Sequence, residues 1–355
     1  MKSVAAIVRR GFIAKRMNYK TYTKLANAAL ISVLTLIFVG AIVRVTGAGM
    51  GCPDWPTCWG MLIPPTHVEE VDFDKLDIEK FQDKAKRMGR DPSSISRESL
   101  RAEFNPRHVW TEFINRLFAL PVGFFSLATF IASFRFRNSR PHLFWLSFSG
   151  LLLVLANAWM GARVVYSGIA PGVLSTHLAL AMTLIGVLAY CVWAGAERPL
   201  KVKSAGNPKM MRMIVLTLLI LVVIEGIMGT QIREMTDELA KAHLDAPRET
   251  WIGELEQSMT YFIHRSFSWL LLLTTVFAFT LAKKHQPDGV TSSQIGVLVI
   301  MFAQMILGLV MAQIHIYSWV QVLHVGLAAI LLALVFRWFL ITPNENRPLA
   351  EASGR

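Results

Sequence analysis

Eight uninterrupted apolar runs, each about 20 residues long, divide this 355-residue chain, and a helix needs that length to cross the ~30 Å hydrocarbon core of a bilayer. They lie near residues 26–46, 111–134, 142–163, 173–194, 210–230, 261–282, 293–314 and 319–340. A chain entering hydrocarbon must satisfy its own backbone polar groups, and runs of this length do so as helices. The reading is an all-α polytopic membrane protein with eight transmembrane helices. Only 17% of the residues are charged, against roughly 25% in an average globular protein. A soluble enzyme, a disordered protein and a disulfide miniprotein are excluded.

The formal charge of +12 would ordinarily raise nucleic-acid binding, but the charges sort by side of the membrane. An even number of spans puts both termini on one side, and the excess of Lys and Arg in short loops identifies it as cytoplasmic. The two termini and the loops on their side hold 20 basic residues against four acids, a face of +16, while the other 16 basic and 20 acidic residues carry −4. The charge therefore describes orientation, and nucleic-acid binding has no support. The first apolar run is too long for a signal-peptide core and no small-residue cleavage site follows, so it is read as a retained span. A multi-pass protein of the cell inner membrane is expected, with membrane lipid around it. The acid-free leader leaves the mitochondrial inner membrane as the alternative.

Residues 1–25 form a cytoplasmic N-terminal segment, 26–194 a four-helix bundle with a long outer loop at 47–110, and 195–209 a cytoplasmic linker. Residues 210–340 form a second four-helix bundle and 341–355 a cytoplasmic tail. The halves repeat. Gly40-Ala-Ile-Val-Arg44 parallels Gly229-Thr-Gln-Ile-Arg233, and Phe113-Ile-Asn-Arg116 parallels Phe262-Ile-His-Arg265. Asn115 precedes His177 by 62 residues and His264 precedes His324 by 60. Four spans per half, each half starting in the cytoplasm, make the repeats parallel, related by an axis along the membrane normal. Two side-by-side four-helix bundles follow.

Nine histidines occur. His67, His108 and His243 fall in outer loops, His142 and His285 at the cytoplasmic border, and His315 where the seventh span ends. His177, His264 and His324 lie inside apolar runs, where an ionisable group is costly and points to function. All three sit in the first turns of spans that run inward from the outer face. His264 and His324 are then expected to face each other in the second bundle, as imidazoles do when they hold a haem iron from both sides. A structural histidine pair and another metal stay open. Arg265 is a candidate partner for a haem propionate, or an interfacial anchor.

The first bundle repeats this scaffold with Asn115 in place of His264 and with Glu112 three residues earlier. Glu112 either caps the helix N-terminus or serves as a base in a pocket with the one imidazole of His177. One bis-histidine pocket and one unsymmetrical pocket suggest a cofactor site and a reaction site. Cys52 and Cys58 bracket a Pro-rich loop on the outer face, where oxidising conditions permit a disulfide. A redox role is the alternative. Cys191 is read as an apolar filler.

The chain resembles the haem A synthase family over nearly its whole length. The resemblance rests on Gly40-Ala-Ile-Val-Arg-Val-Thr-Gly-Ala-Gly-Met-Gly-Cys-Pro-Asp-Trp-Pro-Thr-Cys58, Glu112-Phe-Ile-Asn-Arg116, His177, His264-Arg265 and His324. It implies an enzyme that oxidises the C8 methyl of haem O to a formyl group through a hydroxymethyl intermediate, for cytochrome oxidase assembly. It also implies haem b on His264 and His324, and substrate haem in the first bundle at Glu112, Asn115, Arg116 and His177. In the mechanism read from it, Glu112 takes a proton from the reacting methyl, or stabilises it electrostatically, while water supplies the oxygen. Haem O synthase, an electron acceptor such as a quinone, and a second copy of the chain are the expected partners. The family's Glu-x-x-His-Arg reads Glu-x-x-Asn-Arg here, so the substrate iron is held by His177 alone or with another group such as His108. The competing reading is a dihaem membrane cytochrome passing electrons between quinol and an outer-face partner, followed by a transporter of parallel repeats.

Overall fold

A computed structural model describes residues 4–87, 91–168, 172–243, 246–247 and 250–344, so residues 345–355 of the expected tail lie outside the described residues. The chain is helical, and no β-strand occurs among those residues. The helices are α1 (Val4–Val45), α2 (Ile78–Arg87), α3 (Arg97–Glu103), α4 (Pro106–Ser133), α5 (Pro141–Tyr166) and α6 (Val173–Ala194). They continue with α7 (Pro208–Ala242), α8 (Ile252–Glu256), α9 (Met259–His285), α10 (Ser292–Gln313) and α11 (Ser318–Ile341). Eight of these, α1, α4 to α7 and α9 to α11, are long and apolar enough to span a bilayer. The protein is a multi-pass membrane protein.

Burial fits that environment. Only 11% to 33% of the most apolar stretch of each span is buried by protein, and side chains such as Leu120, Phe124 and Ile131 of α4 point outward. Lipid covers such faces without penalty, because lipid tails are as apolar as the side chains. Hydroxyls inside the spans donate to the carbonyl one turn back, as Thr129 does to Phe125 (2.7 Å) and Ser147 to Leu143 (2.7 Å). Neither hydroxyl therefore needs water.

Two compact units are distinguished. One comprises residues 1–24, 189–309 and 327–355, and the other residues 25–188 and 310–326. Within the first, α7 packs along α9, and within the second, α4 packs along α5. α7 runs well past the predicted span end at 230, continuing as helix to Ala242. An Arg233 to Asp237 ion pair at 3.0 Å, four residues apart, supports the extension, as such pairs do on helix surfaces.

The outer loop is a folded cap. α1 ends at Gly47, whose φ of 69° lies in the left-handed region that glycine adopts without strain. The chain then runs over the start of α4. Inside the loop, Trp59 packs against Phe104 (5.4 Å between centroids), Phe73 (6.1 Å) and Phe81 (6.5 Å), with Val71, Ile95, Leu100 and the Cys52–Cys58 disulfide buried around it. α2 and α3 lie within this loop.

Gly51 lies so close to α4 that a Cβ there would collide with the backbone carbonyl of His108, whereas nothing lies within 4 Å of a Cβ added at Gly123. Overpacking against backbone costs about 1–3 kcal/mol, while Gly to Ala in an open helix position gains up to ~1 kcal/mol. Gly51→Ala should therefore lower the thermal unfolding midpoint of detergent-solubilised protein. Gly123→Ala should hold or raise it.

Candidate functional site

The outer end of α4 carries the first polar cluster. Asn105 caps the helix, its side-chain oxygen accepting from the N–H groups of Arg107 (3.0 Å) and His108 (3.3 Å). Glu112 therefore stands nearly two turns inside α4, and the capping role considered for it belongs to Asn105 instead. Glu112 is buried, 3% exposed. Its Oε2 accepts from the Cys52 backbone N–H at 2.7 Å, and its Oε1 accepts from Arg116 Nη2 at 2.6 Å.

Arg116, one turn further on, is a hub. Its Nη1 donates to the carbonyls of Asp54 (2.9 Å) and Thr57 (2.7 Å), and its Nη2 also donates to the carbonyl of Cys52 (3.2 Å). These carbonyls all belong to the loop that Cys52 and Cys58 close. A planar guanidinium with several fixed donors can serve such a set, and a point-charge ammonium cannot. Inside the loop, the Asp54 carboxylate accepts from the N–H groups of Trp59 (2.7 Å) and Gly60 (3.0 Å) and from the Thr57 hydroxyl. Trp59 sits at φ 54°, unusual for a bulky residue, and its indole N–H is anchored on the Gly51 carbonyl at 2.8 Å. Glu112, Arg116, Cys52 and Cys58 are thus brought together in one network. Arg116, read from the sequence as a haem contact, spends its donors on the loop and on Glu112.

The candidate ligand positions share a local arrangement. A Cβ placed on Gly40 of α1 would lie 3.8 Å from Asn115 Oδ1, and one on Gly229 of α7 would lie 3.5 Å from His264 Cε1. In each repeat a glycine on the first span opens room beside the key residue of the second. Gly161 of α5 stands likewise 3.7 Å from His177 Cε1. The buried Nδ1 of His177 has no hydrogen-bond partner among the described residues.

His264 belongs to the unit containing α7 and α9, and His324 to residues 310–326 of the other unit. His264 Nδ1 lies 3.3 Å from Glu225 Oε1 of α7, and Ser268 donates to the same oxygen. The sequence reading passed over Glu225, although it is the sole acid in the 210–230 run and a lone acid in an apolar span is itself a functional signal. Arg265 is exposed, open to the propionate or anchoring role expected of it. Of the loop histidines, His243 is engaged locally, its Nδ1 3.0 Å from the Leu239 carbonyl and its ring stacked on Trp251.

A family model described as cytochrome oxidase assembly protein (COX15-CtaA) matches residues 23–336. The chain is similar to a protein named heme A synthase from Paracoccus denitrificans, 26% identical over 306 residues that cover 79% of this chain and 76% of the relative. Proteins of the same name from Wolbachia pipientis wMel (26% over 313 residues, 83% and 85% covered) and Sphingopyxis alaskensis (24% over 331 residues, 86% and 87% covered) are similarly related.

Removing one partner of a buried ion pair leaves an uncompensated charge and costs about 3–5 kcal/mol. Arg116→Ala should release the Cys52–Cys58 loop, seen as faster limited proteolysis within residues 47–110 and faster reduction of the disulfide by added thiol. Arg116→Lys should behave nearly as badly. The double variant Arg116→Leu/Glu112→Leu should unfold at a higher temperature than Arg116→Leu alone.

Proposed function

Since the chain belongs to the family of cytochrome oxidase assembly proteins whose model spans residues 23–336, we propose that it is an enzyme of haem, converting haem O to haem A. The C8 methyl is oxidised to a formyl group through a hydroxymethyl intermediate, with water as the oxygen source. Two successive two-electron oxidations release four electrons and four protons per formyl group. The electrons leave for an acceptor such as a quinone, and haem O synthase is the natural source of the substrate. Relatives named heme A synthase, aligned over most of their length, support the reading.

The observation that carries it is Glu112: a carboxylate held at both oxygens, by Cys52 N–H and Arg116, on a span of the first bundle. A carboxylate fixed in that way is positioned to accept a proton from the reacting carbon or to stabilise positive charge there. Arg116 has its donors committed, so it acts through Glu112 and the loop. His177, with an unengaged ring nitrogen beside Gly161, is the proposed ligand of the substrate haem iron. Asn115 borders the same substrate, and Gly40 gives it space.

His264 and His324 are the proposed axial ligands of a resident haem b. At His264 the residues fit. Nδ1 faces Glu225, so Nε2 is the nitrogen left to bind iron, and Gly229 keeps the space beside the ring open. Bound there, haem b supplies one-electron redox capacity. We place both termini in the cytoplasm of a cell inner membrane, on the charge asymmetry of the loops.

The test is to express the chain with a haem O source, extract the pigments and separate them by chromatography. Haem A should appear, and its absence from an otherwise haem-loaded protein would favour the dihaem cytochrome. Glu112→Gln keeps the side-chain shape but removes the base and one of the two acceptor oxygens, and should lower haem A formation by about 10²- to 10⁴-fold together with a lower unfolding midpoint, since the Arg116 charge loses its partner. His264→Ala should abolish the haem b spectrum of the purified protein.

A further inference from the structure

Glu225 of α7 faces His264. It stands one turn before Gly229 on α7, as Ser268 stands one turn after His264 on α9, and the two helices pack together. Ser268 Oγ donates to Glu225 Oε1 and lies 3.0 Å from the His264 carbonyl. His264 Nδ1 lies 3.3 Å from the same carboxylate oxygen, longer than the ~2.9 Å of a well-formed bond, and makes no hydrogen bond as the ring stands. Glu225 Oε2 is buried without a hydrogen-bond partner among the described residues.

The internal repeat supplies a control. By the register that matches Gly229 to Gly40 and His264 to Asn115, Glu225 corresponds to Leu36 and Ser268 to Ala119. The glycine that opens the space occurs in both repeats, so the scaffold is built without the acid and the hydroxyl. Both polar groups occur in the repeat that carries the imidazole and are absent where asparagine replaces it. A carboxylate inside a span is costly and is retained for function. Here its position matches one use. A metal-binding histidine donates its other ring N–H to a carboxylate or carbonyl, which fixes the tautomer and makes the imidazole a stronger ligand.

We infer that Glu225, oriented by Ser268, is a positioning residue for His264: it accepts a hydrogen bond from Nδ1–H, commits Nε2 to the haem iron and stabilises the ferric state. This rests on the haem b reading of His264. The carboxylate does not touch the iron and acts only through the imidazole.

The experiment uses the purified full chain, comparing wild type with Glu225→Leu, which installs the other repeat's residue, and with Glu225→Gln, which keeps the shape. Transfer of haem b to apomyoglobin should be about 10 to 100 times faster in Glu225→Leu. The ferric-to-ferrous equilibrium should shift toward ferrous by about tenfold, ~59 mV for one electron, with altered g values of the low-spin ferric signal. Glu225→Gln should shift the potential in the same direction by less, and Ser268→Ala should follow it. If His264→Ala loses its haem while all three variants keep the wild-type transfer rate, potential and g values, the positioning role is overturned and the haem b reading stands. If His264→Ala keeps wild-type haem, the haem b reading falls and this inference with it.

Discussion

Hydrocarbon offers no water to a polar group, and much of this structure follows from that one deficit. Backbone groups retreat into helices, and the hydroxyls of Thr129 and Ser147 turn back on their own helix. Where a charge does enter, it comes with an arrangement built around it. Glu112 meets Arg116 and the Cys52 N–H, and Glu225 meets Ser268 and His264. Groups so expensive to place mark where the chain does something other than span a membrane.

Arg116 joins the two environments. Its helix lies in a span, yet three of its acceptors are carbonyls of the outer loop. Through it the Cys52–Cys58 loop, the buried Trp59 cluster and Glu112 become one mechanical unit, and Gly51 allows the loop to sit against α4. The disulfide closes the loop covalently, and the guanidinium seats it. The cysteines therefore bear on chemistry at least through position, since the backbone N–H of one of them holds the carboxylate proposed as base.

The two repeats read as one scaffold with different contents. Each opens room with a glycine, Gly40 or Gly229, beside the equivalent residue of the next span. One repeat then carries Leu36, Asn115 and Ala119, with Glu112 nearby, and the other carries Glu225, His264 and Ser268. A supported imidazole suits a resident cofactor. An amide with an unpartnered oxygen beside a clamped carboxylate suits the reaction site we propose.

The spans were legible in the sequence because a bilayer imposes one length and one polarity on any helix that crosses it, and α6, α10 and α11 match their apolar runs to within a residue or two at each end. α7 outran its apolar run because ion pairing along a helix continues past the point where hydropathy stops reporting it. His177, His264 and His324 stood out as ionisable groups in apolar surroundings, and Cys52 and Cys58 as a closely spaced pair. What Arg116, Asn105 and Glu225 do was not legible, although Glu225 itself was conspicuous as an acid. Their partners lie up to 64 residues away in the chain, and no periodicity encodes which carbonyl a guanidinium meets or which oxygen faces a ring nitrogen. The sequence by itself determined what must be buried in lipid and which side chains are anomalous there. Only the tertiary structure decided which of those anomalies neutralise one another, because hydrogen bonds depend on angles and distances of a few tenths of an ångström that only the packed helices set.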